Sequence, residues 1–347
     1  MKIKDLFKYN NLSSDKAFVI AEIGHNHKGS VKIAKKLFDE AKKAGADYVK
    51  FQTFKADKLV TKKTKKTVYQ IKNTNDSESH KDMLARLELS HDMHKKIIAH
   101  CKKQKIKFLS SAFDIESVDL LSKLGQKIFK IPSGEITNAP YLKHLGGVAK
   151  SIILSTGMSN IKEIKDAIKI LESKGLDRKD ITVLHCTSEY PAPLNEINLN
   201  AMNEIKNKLK VSVGYSDHTA GIEISLAAAA LGAEIIEKHF TFNQKLPGPD
   251  HKASLEPKEF KLMIKLIRNI ELSLGKAIKK ASKSEIKNMS IVRKSIVAKK
   301  KIKKGELFTK NNLTTKRPGT GISPMKWNFI IGKKAPRVFD EDELIVL

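Results

Sequence analysis

Cysteines, long apolar runs and aromatic residues are all scarce in this chain, and each scarcity excludes a class of protein. Only two of the 347 residues are cysteines, Cys101 and Cys186, so there is no disulfide framework and a reducing compartment is expected. The longest apolar run, residues 224–233, is about half as long as a membrane span. Residues 1–24 contain no apolar core long enough for a secretory signal. We therefore expect a soluble, cytoplasmic protein without a membrane partner.

Acidic residues are also too few to balance the basic ones, and the formal net charge is +28. The lysines occupy the polar faces of helix-like stretches such as 32–45, 94–105 and 161–175, in which apolar residues keep a helical period. A nucleic-acid-binding protein would more often concentrate this charge in one patch and add aromatic residues, which here make up only 6%. We expect no nucleic-acid partner, and the charge would help to attract anionic substrates.

Eight short apolar segments alternate with helix-like stretches along most of the chain. They are residues 18–24, 48–54, 107–113, 129–135, 151–157, 181–191, 211–219 and 235–241. This alternation predicts an α/β fold, a (β/α)8 TIM barrel, with the carboxyl ends of its strands at one mouth. The long gap at residues 55–106 predicts a lid or substrate loop, because insertions after barrel strands fall on the catalytic face.

The sequence indicates a second, smaller domain after the barrel. We assign residues 1–274 to the barrel domain, in which residues 1–17 are a short extension that covers the barrel bottom. Residues 275–290 are polar and lysine-rich, which predicts a linker. Residues 291–347 contain short β-like runs with glycine and proline between them, and they predict a small β-rich domain.

Polar residues stand at the end of nearly every predicted strand, and one barrel mouth would collect them all. They are Glu22, Lys50, Gln52, Ser111, Lys130, Ser133, Glu135, Ser155, Tyr190, Ser216, His218 and His239. Catalytic groups of TIM barrels lie at this position, so we interpret the chain as an enzyme.

Two histidines end adjacent predicted strands and could share a metal ion. A lone histidine at a strand end is more often a hydrogen-bonding residue, but His218 and His239 would lie side by side. Two imidazoles with carboxylates and water suit Mn²⁺ or Mg²⁺ better than a closed zinc site. An open ion of this kind can polarise a carbonyl oxygen.

Two lysines would face the same mouth. Lys50 and Lys130 could clamp a phosphate or carboxylate group, or one of them could form a Schiff base. Together with the hydroxyls they predict a pocket for a small phosphate ester. Glu22 and Glu135 are candidates for acid–base chemistry, although structural pairing with lysine is the alternative. Asp250, in the Pro-Gly-Pro-Asp-His loop after the last strand, could bind a polar substrate or cap the turn.

These segments carry a close resemblance to the sialic acid synthase family. The motifs, in order, are AEIGHNHKGS (21–30), KFQTF (50–54), KIPSGEITNAPYL (130–142), ILSTGM (153–158), HCTSEYPAP (185–193), VGYSDHT (213–219), EKHFT (237–241) and GPDHKASLEP (248–257). The segment 299–319 is similar to the antifreeze-like (SAF) domain of that family. The resemblance covers nearly the whole chain. It implies that phosphoenolpyruvate condenses with the open-chain aldehyde of an N-acylated mannose-type sugar, with release of phosphate.

The resemblance also implies a role for each candidate residue. It makes Glu135, Lys50, Lys130 and Glu22 the catalytic residues and His218 and His239 the ligands of Mn²⁺ or Mg²⁺. The substrate-binding residues would be Gln52, Ser111, Ser133, Ser155, Ser188, Tyr190, Ser216, Asp250 and Arg317. Arg317 would reach into the barrel of a neighbouring subunit to bind the acyl group of the sugar, which implies a domain-swapped homodimer.

Within the family, the motif wording is closer to N,N′-diacetyllegionaminate synthases than to N-acetylneuraminate synthases. Phe51, Phe54 and the pair 136–137 replace more polar residues, which fits a 6-deoxy, 4-acetamido sugar. The segment SSAF (110–113) departs from the usual STPF, although Ser111 keeps the hydroxyl. Synthesis of N-acetylneuraminate from N-acetylmannosamine remains the alternative. A Schiff-base pyruvate aldolase and an inert barrel with a binding tail are the other hypotheses.

Overall fold

The computed structural model describes residues 16–74 and 78–347, and these form two compact units. One unit ends at Gly275 and the other spans Lys276–Leu347. The extension predicted over residues 1–17 lies almost wholly outside the described residues. None of the helices in the described part of the chain combines the length and apolarity that crossing a bilayer requires.

The first unit is a closed barrel of eight parallel strands in chain order, which confirms the predicted TIM barrel. The strands are β1 (Phe18–Gly24), β2 (Tyr48–Thr53), β3 (Lys107–Ala112), β4 (Ile128–Ile131), β5 (Ser151–Ser155), β6 (Ile181–His185), β7 (Ser212–Asp217) and β8 (Ile235–His239). Strand β4 stops before Pro132, which has no backbone N–H for a ladder bond. Strand β6 likewise ends six residues before Pro191, earlier than the sequence predicted.

Helices pack around the barrel and separate the strands. The eight longest are α1 (Val31–Ala44), α5 (His91–Gln104), α6 (Ile115–Lys123), α7 (Ala139–Val148), α8 (Ile161–Glu172), α9 (Ala201–Leu209), α10 (Glu223–Ala230) and α11 (Pro257–Leu274). Their ends follow from local chemistry. Ser30 caps α1 by accepting a hydrogen bond from the Ile33 N–H, and Gly45 ends it at φ 99°, where a side chain would be strained.

The predicted lid region contains three short helices before α5. They are α2 (Ala56–Leu59), α3 (Val68–Asn73) and α4 (His80–Ala85). The chain meets the loop after β8 at Asn73, whose side chain donates to the Pro249 carbonyl oxygen at 3.2 Å. The Gly248 N–H donates to the Asn73 carbonyl oxygen at 3.2 Å, so two hydrogen bonds hold α3 to the loop after β8.

The barrel has two apolar layers and a polar mouth. Between strands and helices lies the main core, with residues such as Phe38, Ile152 and Phe260. Inside the barrel bottom, Phe18, Leu109 and other side chains form a separate packed layer, so the barrel is no pore. Only the upper end of the interior is left for polar groups.

Strand alternation decides which polar residues face that upper end. In β8, Glu237 lines the interior cavity, whereas the next residue, Lys238, points outward and is 0% exposed. Lys238 Nζ lies 3.0 Å from Asp217 Oδ2, and Asp217 in turn accepts a hydrogen bond from Ser225 at 2.6 Å. The outward pair therefore belongs to the barrel wall and not to the mouth.

The second unit is small and built on an antiparallel pair, β9 (Ser295–Ala298) and β10 (Leu313–Lys316). Its core contains Ile296, Phe308 and Phe339. The sequence predicted a linker over residues 275–290, but the helix α12 (Lys283–Val292) occupies the end of that segment. Ser282 and Glu285 form a capping box that starts this helix, which overrides the polar composition. A last short helix, α13, spans Trp327–Ile330.

Candidate active site

A cavity of about 410 Å³ opens at the carboxyl ends of the barrel strands. It is lined by every predicted site residue of the first unit: Glu22, Lys50, Gln52, Ser111, Lys130, Ser133, Glu135, Ser155, Ser188, Tyr190, Ser216, His218, His239 and Asp250. Arg317 belongs to the second unit, where its Nε donates to the Val292 carbonyl oxygen at 3.0 Å. Its role in the mouth of a neighbouring barrel stays a prediction.

Two buried lysines and two buried carboxylates form a network across the cavity floor. Lys50 Nζ lies 2.8 Å from Glu22 Oε2 and donates to Ser111 Oγ at 3.1 Å. Lys130 Nζ lies 3.0 Å from Glu237 Oε1, while the other oxygen of Glu237 is 3.6 Å from Lys50 Nζ. All four charged side chains are almost fully buried, so each ion pair is held away from water.

The two carboxylates of this network differ in their affinity for protons. Burial raises the pKa of Glu22, although its ion pair with Lys50 opposes the shift. Burial also works to raise the pKa of Glu237, but Lys130 and Lys50 together hold it at about 2. Glu237 is therefore a fixed anion, whereas Glu22 is the carboxyl group better able to carry a proton.

The two lysines also differ in their affinity for protons. Burial lowers the pKa of Lys130 even though Glu237 is beside it. Burial acts on Lys50 too, but Glu22 and Glu237 outweigh it and raise its pKa. Lys50 therefore stays charged at neutral pH, and Lys130 is the more readily deprotonated of the two.

His218 and His239 lie on neighbouring strand ends with their ring centroids 5.6 Å apart. His218 Nδ1 is 2.6 Å from the Thr187 carbonyl oxygen, which can only accept, so Nδ1 carries the proton and Nε2 keeps a lone pair. Burial lowers the pKa of His218 to about 4 and that of His239 to about 3. Both imidazoles are thus neutral at pH 7, the state that binds metal ions.

The surroundings of these histidines fit a divalent cation. His239 Nδ1 is buried without a hydrogen-bond partner among the described residues, and Asp250 Oδ2 lies 3.9 Å from it. Across residues 16–74 and 78–347, no three histidine, cysteine or acidic side chains already form a complete metal site. Two imidazoles and one nearby carboxylate would leave positions open for water or substrate.

Aromatic rings connect the lid to the histidine pair. Tyr190 packs on His218 with ring centroids 4.1 Å apart, and Tyr69 of α3 packs on Tyr190 at 5.0 Å. Leu59, Val60, Gln70, His80 and Leu84 of the lid region line the cavity as well. The sequence-based prediction of a lid at this place therefore agrees with the structure.

Sequence reasoning missed several cavity residues. Glu237 is not among the predicted site residues, yet it accepts a hydrogen bond from Lys130 and another from Ser216, each at 3.0 Å. Its position two residues before His239 would have placed it on the same face of β8. His25 lies in the motif AEIGHNHKGS but after the end of the predicted strand, and Tyr69 lies in the short helix α3, so the strand-end pattern marked neither of them.

An eight-stranded barrel with this ionic network and histidine pair at its mouth defines a TIM-barrel enzyme. Residues 37–279 match the model of the NeuB family, and residues 293–347 match that of the SAF domain. The chain belongs to the NeuB family.

Curated relatives and a solved structure support this membership. The chain is 58% identical to N,N′-diacetyllegionaminic acid synthase from Campylobacter jejuni, with 95% of this chain and 99% of that protein aligned. It is 44% identical to the synthase of the same name from Legionella pneumophila, with 93% and 91% aligned. The crystal structure of N-acetylneuraminic acid synthetase from Leptospira borgpetersenii superposes with a TM-score of 0.70 at 32% identity, covering 79% of this chain and 90% of that one.

Proposed function

We propose that this enzyme condenses phosphoenolpyruvate with 2,4-diacetamido-2,4,6-trideoxymannose to give N,N′-diacetyllegionaminate and phosphate. The observation that carries the proposal is the 58% identity to the Campylobacter jejuni synthase, which extends over 95% of this chain. The solved N-acetylneuraminic acid synthetase is only 32% identical, so N-acetylneuraminate synthesis from N-acetylmannosamine is the second candidate.

Phosphoenolpyruvate would bind at the lysine side of the cavity. Lys130 and Lys50 supply positive charge, and the hydroxyls of Ser111 and Ser216 are in direct contact with this network. Ser133, Ser155 and Ser188 line the adjoining wall as further donors. A buried cationic cluster with several hydroxyls suits a small molecule that carries both phosphate and carboxylate.

The charge balance of the cavity supports an additional cation. Of the described residues that line it, two are lysines and four are carboxylates: Glu22, Glu135, Glu237 and Asp250. An anionic substrate would meet a surplus of negative charge unless further positive charge is present. His218, His239 and Asp250 would hold a divalent ion, Mn²⁺ or Mg²⁺, which when bound polarises the aldehyde oxygen of the sugar.

The carboxyl groups would move the protons of the reaction. C3 of phosphoenolpyruvate attacks the aldehyde carbon, C2 becomes cationic, and water adds to C2 before the C2–O bond to phosphate breaks. Burial raises the pKa of Glu135, which is suited to accept a proton from that water. Burial likewise raises the pKa of Glu22, which can give a proton to the former aldehyde oxygen and so form the new hydroxyl group.

The sugar would bind next to the lysines, around Glu22 and Gln52. Gln52 Nε2 donates to Glu22 Oε1 at 3.2 Å, and Tyr190 and Asp250 complete this side. The acyl group at C2 of the sugar would be bound by Arg317 from a second copy of the chain in a domain-swapped homodimer. That arginine would add positive charge where the barrel itself has a surplus of carboxylates.

The direct test is phosphate release from phosphoenolpyruvate with Mn²⁺, comparing 2,4-diacetamido-2,4,6-trideoxymannose with N-acetylmannosamine. We expect a clear preference for the first sugar, measured as kcat/KM. Preference for N-acetylmannosamine would select the second candidate, and no release with either sugar would overturn both.

A separate experiment tests the alternative of a Schiff-base aldolase. The depressed pKa of Lys130 is compatible with a nucleophilic amine, so the enzyme should be treated with pyruvate and borohydride and examined by mass spectrometry. We expect no covalent adduct on Lys130 or Lys50. A trapped adduct would replace the proposed condensation by aldolase chemistry.

A further inference from the structure

His25 is a buried side chain at the cavity that the reaction described above does not use. It follows β1, is 9% exposed and lines the cavity. Neither of its ring nitrogens has a hydrogen-bond partner among the described residues, although Asp250 Oδ2 lies 3.5 Å from Nδ1. An unsatisfied buried polar atom destabilises a fold, so its presence at a cavity points to a ligand that satisfies it.

The position of His25 is next to the residues that would hold the sugar. The preceding residue, Gly24, has a φ of 48°, and a Cβ there would lie 3.0 Å from Asp250 Oδ2 and 3.2 Å from Glu22 Oε1. It would also lie 3.3 Å from Gln52 Nε2. The three side chains therefore converge beside Gly24, and the His25 ring extends the same wall of the cavity.

An apolar cluster adjoins the imidazole ring of His25. The imidazole meets the Phe54 ring edge-on, with centroids 5.6 Å apart and planes at 85°. Phe54 belongs to a small core with Leu84, against which Leu59, Val60 and Phe113 pack. Leu59, Val60, Leu84 and Phe113 also line the cavity. A polar imidazole thus stands beside a surface suited to methyl groups.

We propose that His25 and this apolar cluster bind the second acylamino group of the sugar, the one at C4, and that His25 determines the preference for a diacylated substrate. An acylamino group presents one amide and one methyl, which matches an imidazole with nitrogens unpartnered among the described residues beside an apolar wall. N-acetylmannosamine has a hydroxyl at C4 and would leave the apolar surface uncovered. This inference rests on the proposed function and assigns a specificity-determining residue to it.

The test compares two substitutions that differ in reach. His25→Gln places a polar atom near the position of Nε2, whereas His25→Asn reaches only as far as Nδ1. The ratio of kcat/KM for 2,4-diacetamido-2,4,6-trideoxymannose to kcat/KM for N-acetylmannosamine should fall about tenfold in His25→Asn, as expected for a lost buried hydrogen bond. His25→Gln should restore most of the ratio. KM for phosphoenolpyruvate reports the integrity of the other half of the site.

The outcomes separate this inference from the proposed function. If the unsubstituted enzyme prefers the diacetamido sugar and His25→Asn keeps the full preference, the role of His25 is wrong and the proposed function stands. If the unsubstituted enzyme shows no such preference, the proposed function itself fails. If His25→Asn does not fold, His25→Leu takes its place: a lowered ratio would support the role, and equal losses on both sugars would overturn it.

Discussion

Lys130 and Glu237 form a buried ion pair, and substitutions of the two residues should destabilise the barrel by different amounts. Glu237→Gln should destabilise the barrel more than Lys130→Met. After Lys130→Met, Glu237 keeps Lys50 at 3.6 Å and the hydroxyl of Ser216 at 3.0 Å. After Glu237→Gln, Lys130 loses the carboxylate that it contacts at 3.0 Å and remains buried at 3% exposure. An isolated buried charge is the more unfavourable result.

The distances give the size of the effect. At an effective dielectric constant of about 20, unit charges 3.0 Å apart attract by about 5.5 kcal/mol, and charges 3.6 Å apart by about 4.6 kcal/mol. Breaking one member of a buried pair typically costs about 3–5 kcal/mol after desolvation is included. We therefore expect the free energy of unfolding to fall by about 3 kcal/mol in Lys130→Met and by about 5 kcal/mol in Glu237→Gln. The double substitution should cost at least about 1.5 kcal/mol less than the sum.

The loss of unfolding free energy in Glu237→Gln, which we call its deficit, should also depend on pH. Burial already lowers the pKa of Lys130 in the intact protein, and loss of Glu237 lowers it further. The unfolded chain then binds a proton that the folded chain does not, so stability rises as the pH rises toward about 10.4, the ordinary value for lysine. The deficit should be smaller at about pH 9.5 than at about pH 7.

Urea unfolding followed by far-ultraviolet circular dichroism measures these changes, because most helices belong to the barrel unit. The single tryptophan of the chain, Trp327, lies in the other unit, so its fluorescence follows that unit separately from the circular dichroism of the barrel helices. Equal losses for both single variants, or strictly additive losses in the double variant, would refute the reasoning.

Further predictions concern the metal and the second subunit. His218→Ala or His239→Ala should lower turnover by orders of magnitude and weaken Mn²⁺ binding measured by calorimetry, and unchanged turnover would exclude a shared metal site. Because burial lowers the pKa of His218 to about 4 and that of His239 to about 3, Mn²⁺ affinity should change little between about pH 8 and about pH 6. A loss of affinity centred near pH 6.5 would contradict those shifts. Arg317→Ala should raise KM for the sugar more than KM for phosphoenolpyruvate, and the reverse order would argue against a swapped tail.

Much of the barrel could be predicted because two simple periodicities determine it. Apolar segments separated by amphipathic helices specify the eight strands, and parallel strands bring their carboxyl ends together. The candidates at strand ends, such as Lys50, Lys130 and His239, therefore line one cavity. The predicted end of β4 was late because Pro132 has no N–H for the ladder, and the predicted end of β6 was late because the polar segment after His185 leaves the strand.

The remaining features depend on contacts that a sequence does not display. The ionic partner of Lys130 is 107 residues away at Glu237, and only the barrel register joins them. The lid residue Tyr69 reaches Tyr190 because the chain folds back over the mouth. The loop residue His25 meets Phe54 of the neighbouring connection, and no period places the two together.

The alternation of polar residues in β7 and β8 has a consequence for folding accuracy. Ser216 is aligned with Glu237 and Asp217 with Lys238, so an inward hydrogen bond and an outward ion pair share one register. Sliding β8 by one residue would break both contacts at once and exchange the inward and outward sets of charged side chains. These four residues therefore favour the native register of β7 and β8. The same register places Ser216 and Glu237 at the mouth and Asp217 and Lys238 in the barrel wall.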